Sequence, residues 1–254
     1  MVRSAPRHRG ARLPTAKSAE RYFYLAMACA IAASVLLGFA RSVFLRPWFG
    51  EFAHAHAPAE PFFYVHGAFF LTWIALFVTQ ASLVTAGNTA LHRKLGAASF
   101  VLVPAMVALG TIGGLIAARR PTGFFDVADP PLQFLAKVLL DMVEFGVLAG
   151  CAIAWRRAPQ VHKRPMLLAS IELLEAVIVR WPFPFVTSGP DVAFALKIAF
   201  VLPLVGWDVR TLGRLHPVTM WGGTFLIAAA PVYYWISPTP AWHAFAVWAT
   251  GLLG

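Results

Sequence analysis

Long apolar stretches, separated by short polar segments, dominate the pattern of this chain. A helix that crosses a bilayer needs about 20 mostly apolar residues, and the pattern predicts seven such spans. Their predicted bounds are 22–45, 61–86, 95–118, 131–155, 165–187, 191–208 and 217–237. The last segment, 241–254, is too short to cross and is expected at the membrane interface or partway into it. The sequence therefore predicts an all-α fold, a polytopic transmembrane helix bundle.

The composition is typical of an integral membrane protein. Of its 254 residues 59% are hydrophobic and 13% are charged, whereas soluble domains carry about 25% charged residues. The net charge of +10 does not indicate nucleic acid binding, because the basic residues concentrate in the N-terminal tail and in short connections. We expect residues 1–21 to form a basic, disordered cytoplasmic tail, and residues 22–254 to form a single transmembrane helical domain.

The distribution of Lys and Arg predicts an orientation. With the N-terminus inside, the inner connections and the tail hold fourteen of these residues and the outer connections hold four. Cytoplasmic connections carry the excess of basic residues in membrane proteins. We therefore expect a multi-pass protein of the bacterial inner membrane with a cytoplasmic N-terminus. The lipid bilayer is its predicted partner, and a membrane-protein partner or a second copy of the chain is compatible with the pattern.

Small residues recur at four-residue spacing in two neighbouring predicted spans. Gly110 and Gly114 form a GxxxG pattern in the third span, and Gly146 and Gly150 repeat it in the fourth. Such residues let two helices approach closely in a membrane. The spacing predicts that the third span packs against the fourth.

Ionisable side chains interrupt the apolar pattern of three consecutive predicted spans. Each costs at least about 2.5–3.5 kcal/mol at the bilayer centre, so such groups should face the bundle interior. The set comprises Lys137, Asp141 and Glu144 on one stripe of the fourth span, Glu172, Glu175 and Arg180 in the fifth, and Lys197 in the sixth. Two interpretations stay open. The charges form an ion-pair network that fixes helix register, or they form a proton path or polar cavity.

Histidines form a second set of candidate functional residues. His92, His162 and His216 precede or begin predicted spans on one side of the membrane, and His66 lies within the second span. Neutral imidazoles at one depth could bind a transition metal or ligate the iron of haem b. Four basic residues would then be placed to pair with haem propionates, namely Arg93, Lys94, Lys163 and Arg164. His54 and His56 form a weaker candidate metal site. The alternative is that the histidines are ordinary interface residues.

Several motifs resemble those of a family of bacterial polytopic membrane proteins. They are GFARSVFLRPWF (38–49), HGAFFLTWIALFVTQASLV (66–84), LHRKLG (91–96), HKRPMLLASIELL (162–174) and RLHPVTMWGG (214–223). The resemblance implies the topology and supplies no activity. The His-Arg-x-Leu-Gly element is also similar to segments of haem-binding and oxidase-associated membrane proteins.

Three functions follow as hypotheses. The first is a haem- or metal-binding redox membrane protein with the acidic stripe as its proton path. The second is a proton-coupled transporter of a small molecule, although the sequence shows neither an inverted repeat nor the paired broken helices of many transporters. The third is a non-catalytic membrane subunit or assembly factor. The sequence does not decide whether the protein is an enzyme.

Overall fold

A computed structural model of the chain describes residues 16–48, 61–124, 127, 129–187 and 191–253. All of the described secondary structure is helical, which confirms the all-α prediction. The helices are α1 Ala16–Phe39, α2 Pro61–Thr85, α3 Thr89–Gly96, α4 Ser99–Ala118, α5 Pro131–Ala154, α6 Pro159–Glu172, α7 Glu175–Ile178, α8 Val192–Ala199, α9 Leu202–Leu212, α10 Pro217–Ile236 and α11 Pro240–Gly251. Most of the predicted tail, together with His54 and His56, lies outside the described residues.

Helix ends follow local side-chain chemistry. The Asn88 side chain accepts a hydrogen bond from the Leu91 amide at 3.1 Å and caps α3, just after a turn in which Gly87 has φ +80°. His216 caps α10 in the same way, with Nδ1 accepting from the Val218 amide at 3.2 Å. The two side chains satisfy amides that the first helical turn leaves free. The starts of α3 and α10 are therefore determined by the local sequence.

Four helices, and not seven, are long and apolar enough to cross a membrane among the described residues. They are Ser18–Phe44, which continues α1 through a π-helical turn, Pro61–Thr85, Ser99–Ala118 and Val192–Leu212. Length and apolar composition make this chain a candidate multi-pass membrane protein. The predicted count of seven spans is thus corrected to four.

The three remaining predicted spans fall short for different physical reasons. Helix α5 has 24 residues, but Lys137, Asp141 and Glu144 interrupt its apolar sequence. The predicted fifth span is divided into α6, with 14 residues, and α7, with four. Helix α10 has 20 residues and no charge, but it is not among the four helices that are apolar enough to qualify as candidate spans.

Helix α5 is the central element of the bundle. It packs against α4, α6, α10 and α11, and its apolar residues Phe145 and Leu148 are completely buried. The Trp73 ring of α2 meets Phe145 edge-on, at 5.2 Å between ring centroids, and donates a hydrogen bond to Ser170 of α6 at 3.2 Å. The face of α5 that packs against these helices can carry charges that a lipid-facing surface cannot, which explains why the ionisable residues concentrate here.

The glycines of α4 lie at a close contact with α5, as predicted. A Cβ atom at Gly110 would lie 2.0 Å from Met142, and one at Gly114 would lie 2.8 Å from Val138, both on α5. The close packing of α4 on α5 is therefore confirmed. The matching pattern on α5 contributes less, because a Cβ at Gly146 would meet only Val107, at 3.2 Å, and one at Gly150 would meet nothing within 4 Å.

Two helices of the bundle are interrupted. Between α6 and α7 the hydrogen bonds tighten to i→i+3, with the Leu174 amide bonded to Ile171 at 2.9 Å and the Val177 amide to Leu174 at 2.9 Å. Between α8 and α9 the Val201 amide bonds to Ile198 at 2.9 Å, and Pro203, which has no amide hydrogen, cannot complete the next α-helical bond. Short i→i+3 stretches within helices often mark hinges or functional sites.

Candidate metal centre

A cluster of six ionisable side chains lies where α5, α6, α7 and α8 meet. Helix α5 presents three of them on successive turns of one face, because positions 137, 141 and 144 are separated by four and three residues. Helices α6 and α7 contribute one carboxylate on each side of their interruption, and α8 contributes a lysine. The charge cluster, as it is named below, consists of Lys137, Asp141, Glu144, Glu172, Glu175 and Lys197.

Both lysines of the charge cluster form ion pairs. Lys137 pairs with Asp141 on its own helix, and its Nζ lies 3.1 Å from Glu175 Oε2. Lys197 Nζ donates to the two Glu172 oxygens at 3.0 and 3.2 Å, and it lies 2.8 Å from the same Glu175 Oε2. One oxygen of Glu175 is therefore shared by the two ammonium groups. Lysines on separate helices meet at this carboxylate.

Glu144 differs from the other carboxylates of the charge cluster. Its side chain belongs to a residue that is only 2% exposed, and neither carboxylate oxygen has a hydrogen-bond partner among the described residues. The Glu172 carboxyl lies beside it, but two carboxyl groups can hydrogen-bond to each other only when they share a proton. A buried carboxylate without a partner is costly. Glu144 thus lacks the compensation that every other buried charge here receives.

Three carboxylates of the charge cluster are spaced like metal ligands. Oxygen atoms of Asp141, Glu144 and Glu172, called the acidic triad below, all lie within 4.8 Å of one another. Within the described part of the chain, no other set of three or more His, Cys, Asp or Glu residues offers ligand atoms this close together. Carboxylate oxygens are ligands that hard cations such as Mg²⁺, Ca²⁺ and Mn²⁺ prefer. The acidic triad could therefore bind a metal ion.

Backbone geometry at Glu172 also favours a cation. Glu172 is the last residue of α6, so its carboxylate lies near the C-terminal end of a 14-residue helix. That end of a helix carries partial negative charge from the unpaired carbonyl groups. A negative side chain is disfavoured there, whereas a bound cation is stabilised by both the carboxylate and the helix dipole.

Two further candidates from the sequence, His66 and Arg180, lie in apolar or aromatic surroundings. His66 stacks on Phe70, at 4.3 Å between ring centroids, and its Nδ1 is 3.4 Å from the Leu109 carbonyl of α4. Arg180 donates to the Ala176 carbonyl, and its guanidinium lies 5.4 Å from the centre of the Phe39 ring. Each of these polar side chains thus links neighbouring segments of the bundle.

The three histidines predicted as ligands each use Nδ1 for a local contact. His162 Nδ1 lies 2.7 Å from the Ala152 carbonyl and must donate to it, whereas the Nδ1 of His216 caps α10. In the amide orientation that matches donors with acceptors, Gln80 donates to His92 Nδ1 at 2.5 Å. These contacts leave Nε2 as the second nitrogen of each ring. The prediction that the three imidazoles ligate a metal or haem iron stays a prediction.

These histidines also have perturbed acidities. Burial lowers the pKa of His162. Burial lowers the pKa of His92 as well, and the charges of His162 and Arg93 act in the same direction. Burial, followed by the charge of Arg164, lowers the pKa of His216. Desolvation disfavours the protonated ring in each case, so burial favours the neutral imidazole at all three positions.

A second buried ion pair joins α6 to α9 at the end of the bundle where α9 leads into α10. Arg164 Nη2 donates to Asp208 Oδ1 at 2.5 Å, and Nε donates to the same oxygen at 3.2 Å. The other oxygen, Oδ2, accepts from the His216 amide at 3.2 Å and from the Thr219 hydroxyl at 2.5 Å. We call this network the Arg164–Asp208 clasp. Both side chains are almost completely buried, at 1% and 0% exposure.

The clasp changes the interpretation of the basic residues near the histidines. Arg164, a predicted propionate partner, is already engaged by Asp208 and by the Gln160 carbonyl. Lys163 pairs with Glu20 of α1, and Arg93 and Lys94 are exposed. Sequence reasoning missed Asp208, because it lies near the end of its predicted span, where a charge is ordinary. Asp208 is both the last residue of the predicted sixth span and the first residue of the polar segment DVRTLGRLHP, so no local signal distinguished it from an interfacial charge.

Comparison with protein-family models, with curated proteins and with solved structures returned no match to this chain. The family resemblance of the sequence motifs therefore finds no support there. What the sequence and the structure establish together is a helical protein with four candidate membrane-spanning helices and a buried acidic triad.

Proposed function

We propose that this protein is a multi-pass membrane protein that binds a divalent metal cation at the acidic triad and carries it across the bilayer. The observation that carries the proposal is the Glu144 carboxylate, which is buried, faces Asp141 and Glu172, and has no hydrogen-bond partner among the described residues. A metal cation at the centre of the triad would supply the missing partner.

The charge of the site supports a divalent ion. The charge cluster contains four carboxyl groups and two ammonium groups, so its fully ionised form is more negative than positive by two charges. An uncompensated charge in a low-dielectric interior is strongly unfavourable. One divalent cation makes the charge cluster neutral, and one monovalent cation does not.

The ligand set favours a hard cation over haem iron or a thiophilic metal. All three triad ligands are carboxylates, and none of them is His or Cys. The three ligand oxygens all lie within 4.8 Å of one another, which is no wider than the span of two calcium–oxygen bonds on opposite sides of an ion, about 4.6–5.2 Å. Ca²⁺ and Mn²⁺ are the natural probes.

The interrupted helices support transport rather than storage of the ion. Many membrane transporters place their ion sites beside discontinuous helices, whose freed carbonyl groups and dipoles contribute to binding. Here the α6–α7 interruption lies between Glu172 and Glu175, and the α8–α9 interruption follows Lys197 by a few residues. Interrupted helices, which were not evident in the sequence, therefore occur on both sides of the charge cluster. The absence of an inverted repeat from the sequence still counts against a transporter of that architecture.

The proposal is tested by measuring Mn²⁺ binding to the detergent-purified full chain with electron paramagnetic resonance. We expect about one bound ion per chain and competition by Ca²⁺. Glu144→Gln keeps the size of the side chain and removes one charge, so binding should weaken by about a hundredfold or more, because the loss of even an outer-shell partner costs about 10–100-fold in metal affinity. Glu20→Gln is the matched control, because Glu20 pairs with Lys163 away from the acidic triad.

Two outcomes would overturn the proposal. The first is purified protein that binds neither Mn²⁺ nor Ca²⁺ between pH 6 and 8. The proton path predicted from the sequence would then remain as the role of the carboxylates, and proton flux in vesicles would test it. A reduced-minus-oxidised absorbance band from the same preparation would instead favour haem bound by the predicted histidines. Transport itself is tested by Mn²⁺ uptake into proteoliposomes, where Glu144→Gln should be inactive.

A further inference from the structure

We infer that Lys137 and Lys197 are the specificity-determining residues of this metal site, and that they make it select divalent over monovalent cations. The inference rests on the proposed function, because it concerns the same acidic triad. It adds a role for two residues that bind no metal themselves.

The ion pairs divide the acidic triad into two kinds of ligand. Asp141 is held by Lys137, and Glu172 is held by Lys197. Glu144 is the member that neither ammonium group reaches within hydrogen-bonding distance. A cation that binds all three carboxylates must therefore compete with two resident ammonium groups.

Glu175 provides the ammonium groups with an alternative position. Its Oε2 atom is already 3.1 Å from Lys137 Nζ and 2.8 Å from Lys197 Nζ, and Glu175 is not a member of the triad. When a cation binds, each ammonium group can turn from its triad carboxylate towards Glu175 and keep one ion pair. Glu175 lies just beyond the α6–α7 interruption, where the backbone is not constrained by a continuous helix.

The valence of the incoming cation decides whether this exchange is favourable. A sodium or potassium ion has the same charge as an ammonium group, so displacing the lysines brings no electrostatic gain and leaves a buried excess of one negative charge. A divalent ion brings twice the attraction at each carboxylate and makes the charge cluster neutral. A divalent ion can therefore displace the lysines from the triad carboxylates, and a monovalent ion cannot.

The test removes one resident ammonium group at a time. In Lys197→Met the Glu172 carboxylate is released, so Mn²⁺ should bind at least about tenfold more tightly, since a neighbouring unit charge in a partly shielded interior exceeds the energy of a tenfold change. The same variant should become sensitive to sodium, with 100 mM NaCl weakening Mn²⁺ binding relative to an equal concentration of choline chloride. The wild type should show no such difference.

Further variants separate this role from a structural one. Lys137→Met should change Mn²⁺ affinity in the same direction as Lys197→Met, and it carries the test alone if Lys197→Met does not fold. Glu175→Gln should weaken Mn²⁺ binding, because the displaced ammonium groups lose their alternative partner. Arg210→Met is the control for loss of one positive charge, since Arg210 is exposed on α9. Thermal unfolding identifies the variants that are folded.

The possible results distinguish the two proposals. If the wild type binds Mn²⁺ and the folded lysine variants bind it equally or more weakly, the lysines serve only to hold helices together, and the inference is overturned while the metal site stands. If the wild type binds no divalent cation under any condition, both proposals fall. Tighter Mn²⁺ binding together with a new sodium effect supports the inference.

Discussion

The charge cluster and the Arg164–Asp208 clasp are both buried ion-pair networks attached to α6, and they differ in how completely their polar atoms are paired. In the clasp, the two Asp208 oxygens accept from Arg164, from the His216 amide and from the Thr219 hydroxyl. In the charge cluster, both oxygens of Glu144 lack a partner among the described residues. The clasp is saturated, whereas the charge cluster is not.

This difference teaches how to separate a structural ion pair from a binding site. A buried pair with good geometry and every lone pair satisfied can hold helices in register. A buried carboxylate left without a partner calls for an explanation, such as a bound ion or an ordered water. For the charge cluster the sequence left an ion-pair network and a proton path or polar cavity open, and the unpaired oxygens of Glu144 support the metal site that we propose.

The largest stability effect should come from breaking the clasp. Arg164→Met leaves Asp208 buried without its charged partner, so we expect a loss of about 3–5 kcal/mol in unfolding free energy, measured by thermal or denaturant unfolding in detergent. The double variant Arg164→Met/Asp208→Leu should recover much of this loss, because it removes both charges together. If the single variant were as stable as the wild type, the clasp would not hold α6 to α9.

Glu144→Gln should affect stability in the opposite direction. In metal-free buffer it replaces an uncompensated carboxylate with a neutral amide, whose N–H groups can donate to the neighbouring oxygens of Asp141 and Glu172, so we expect a gain of about 1–3 kcal/mol. Added Ca²⁺ should stabilise the wild type and leave the variant unchanged, because binding to the folded state alone raises its stability. A variant that is less stable without metal would mean that Glu144 is already compensated in the wild type.

The smallest effect should be the pH dependence contributed by His162 near the clasp. Burial lowers the pKa of His162 from 6.5, so the unfolded chain takes up a proton before the folded protein does. Stability is therefore fully present above pH 6.5 and falls as the pH is lowered through that value towards the folded pKa. His162→Gln should reduce the slope between pH 7 and 5. An unchanged slope in His162→Gln would show that His162 does not contribute to the pH dependence.

The sequence by itself determined several features of this protein. The long apolar stretches established an all-α chain suited to lipid, and the cost of intramembrane charge indicated that Lys137, Asp141 and Glu144 face the bundle interior. The spacing of Gly110 and Gly114 predicted the packing of α4 on α5. These features follow from local composition and helical periodicity, which any segment displays without its neighbours.

Only the tertiary structure decided which charges meet. Glu172 and Glu175 are three positions apart in the sequence, and the helix is interrupted between them. Glu172 therefore belongs to the acidic triad, whereas Glu175 forms ion pairs with both lysines. Asp208 belongs to the clasp because α9 and α10 bring it to Arg164, which lies 44 positions earlier. Helix α5 is as long as a membrane span, and its position at the centre of the bundle results from packing against α4, α6, α10 and α11. Contacts between distant segments depend on how all helices pack at once, and no local pattern encodes them.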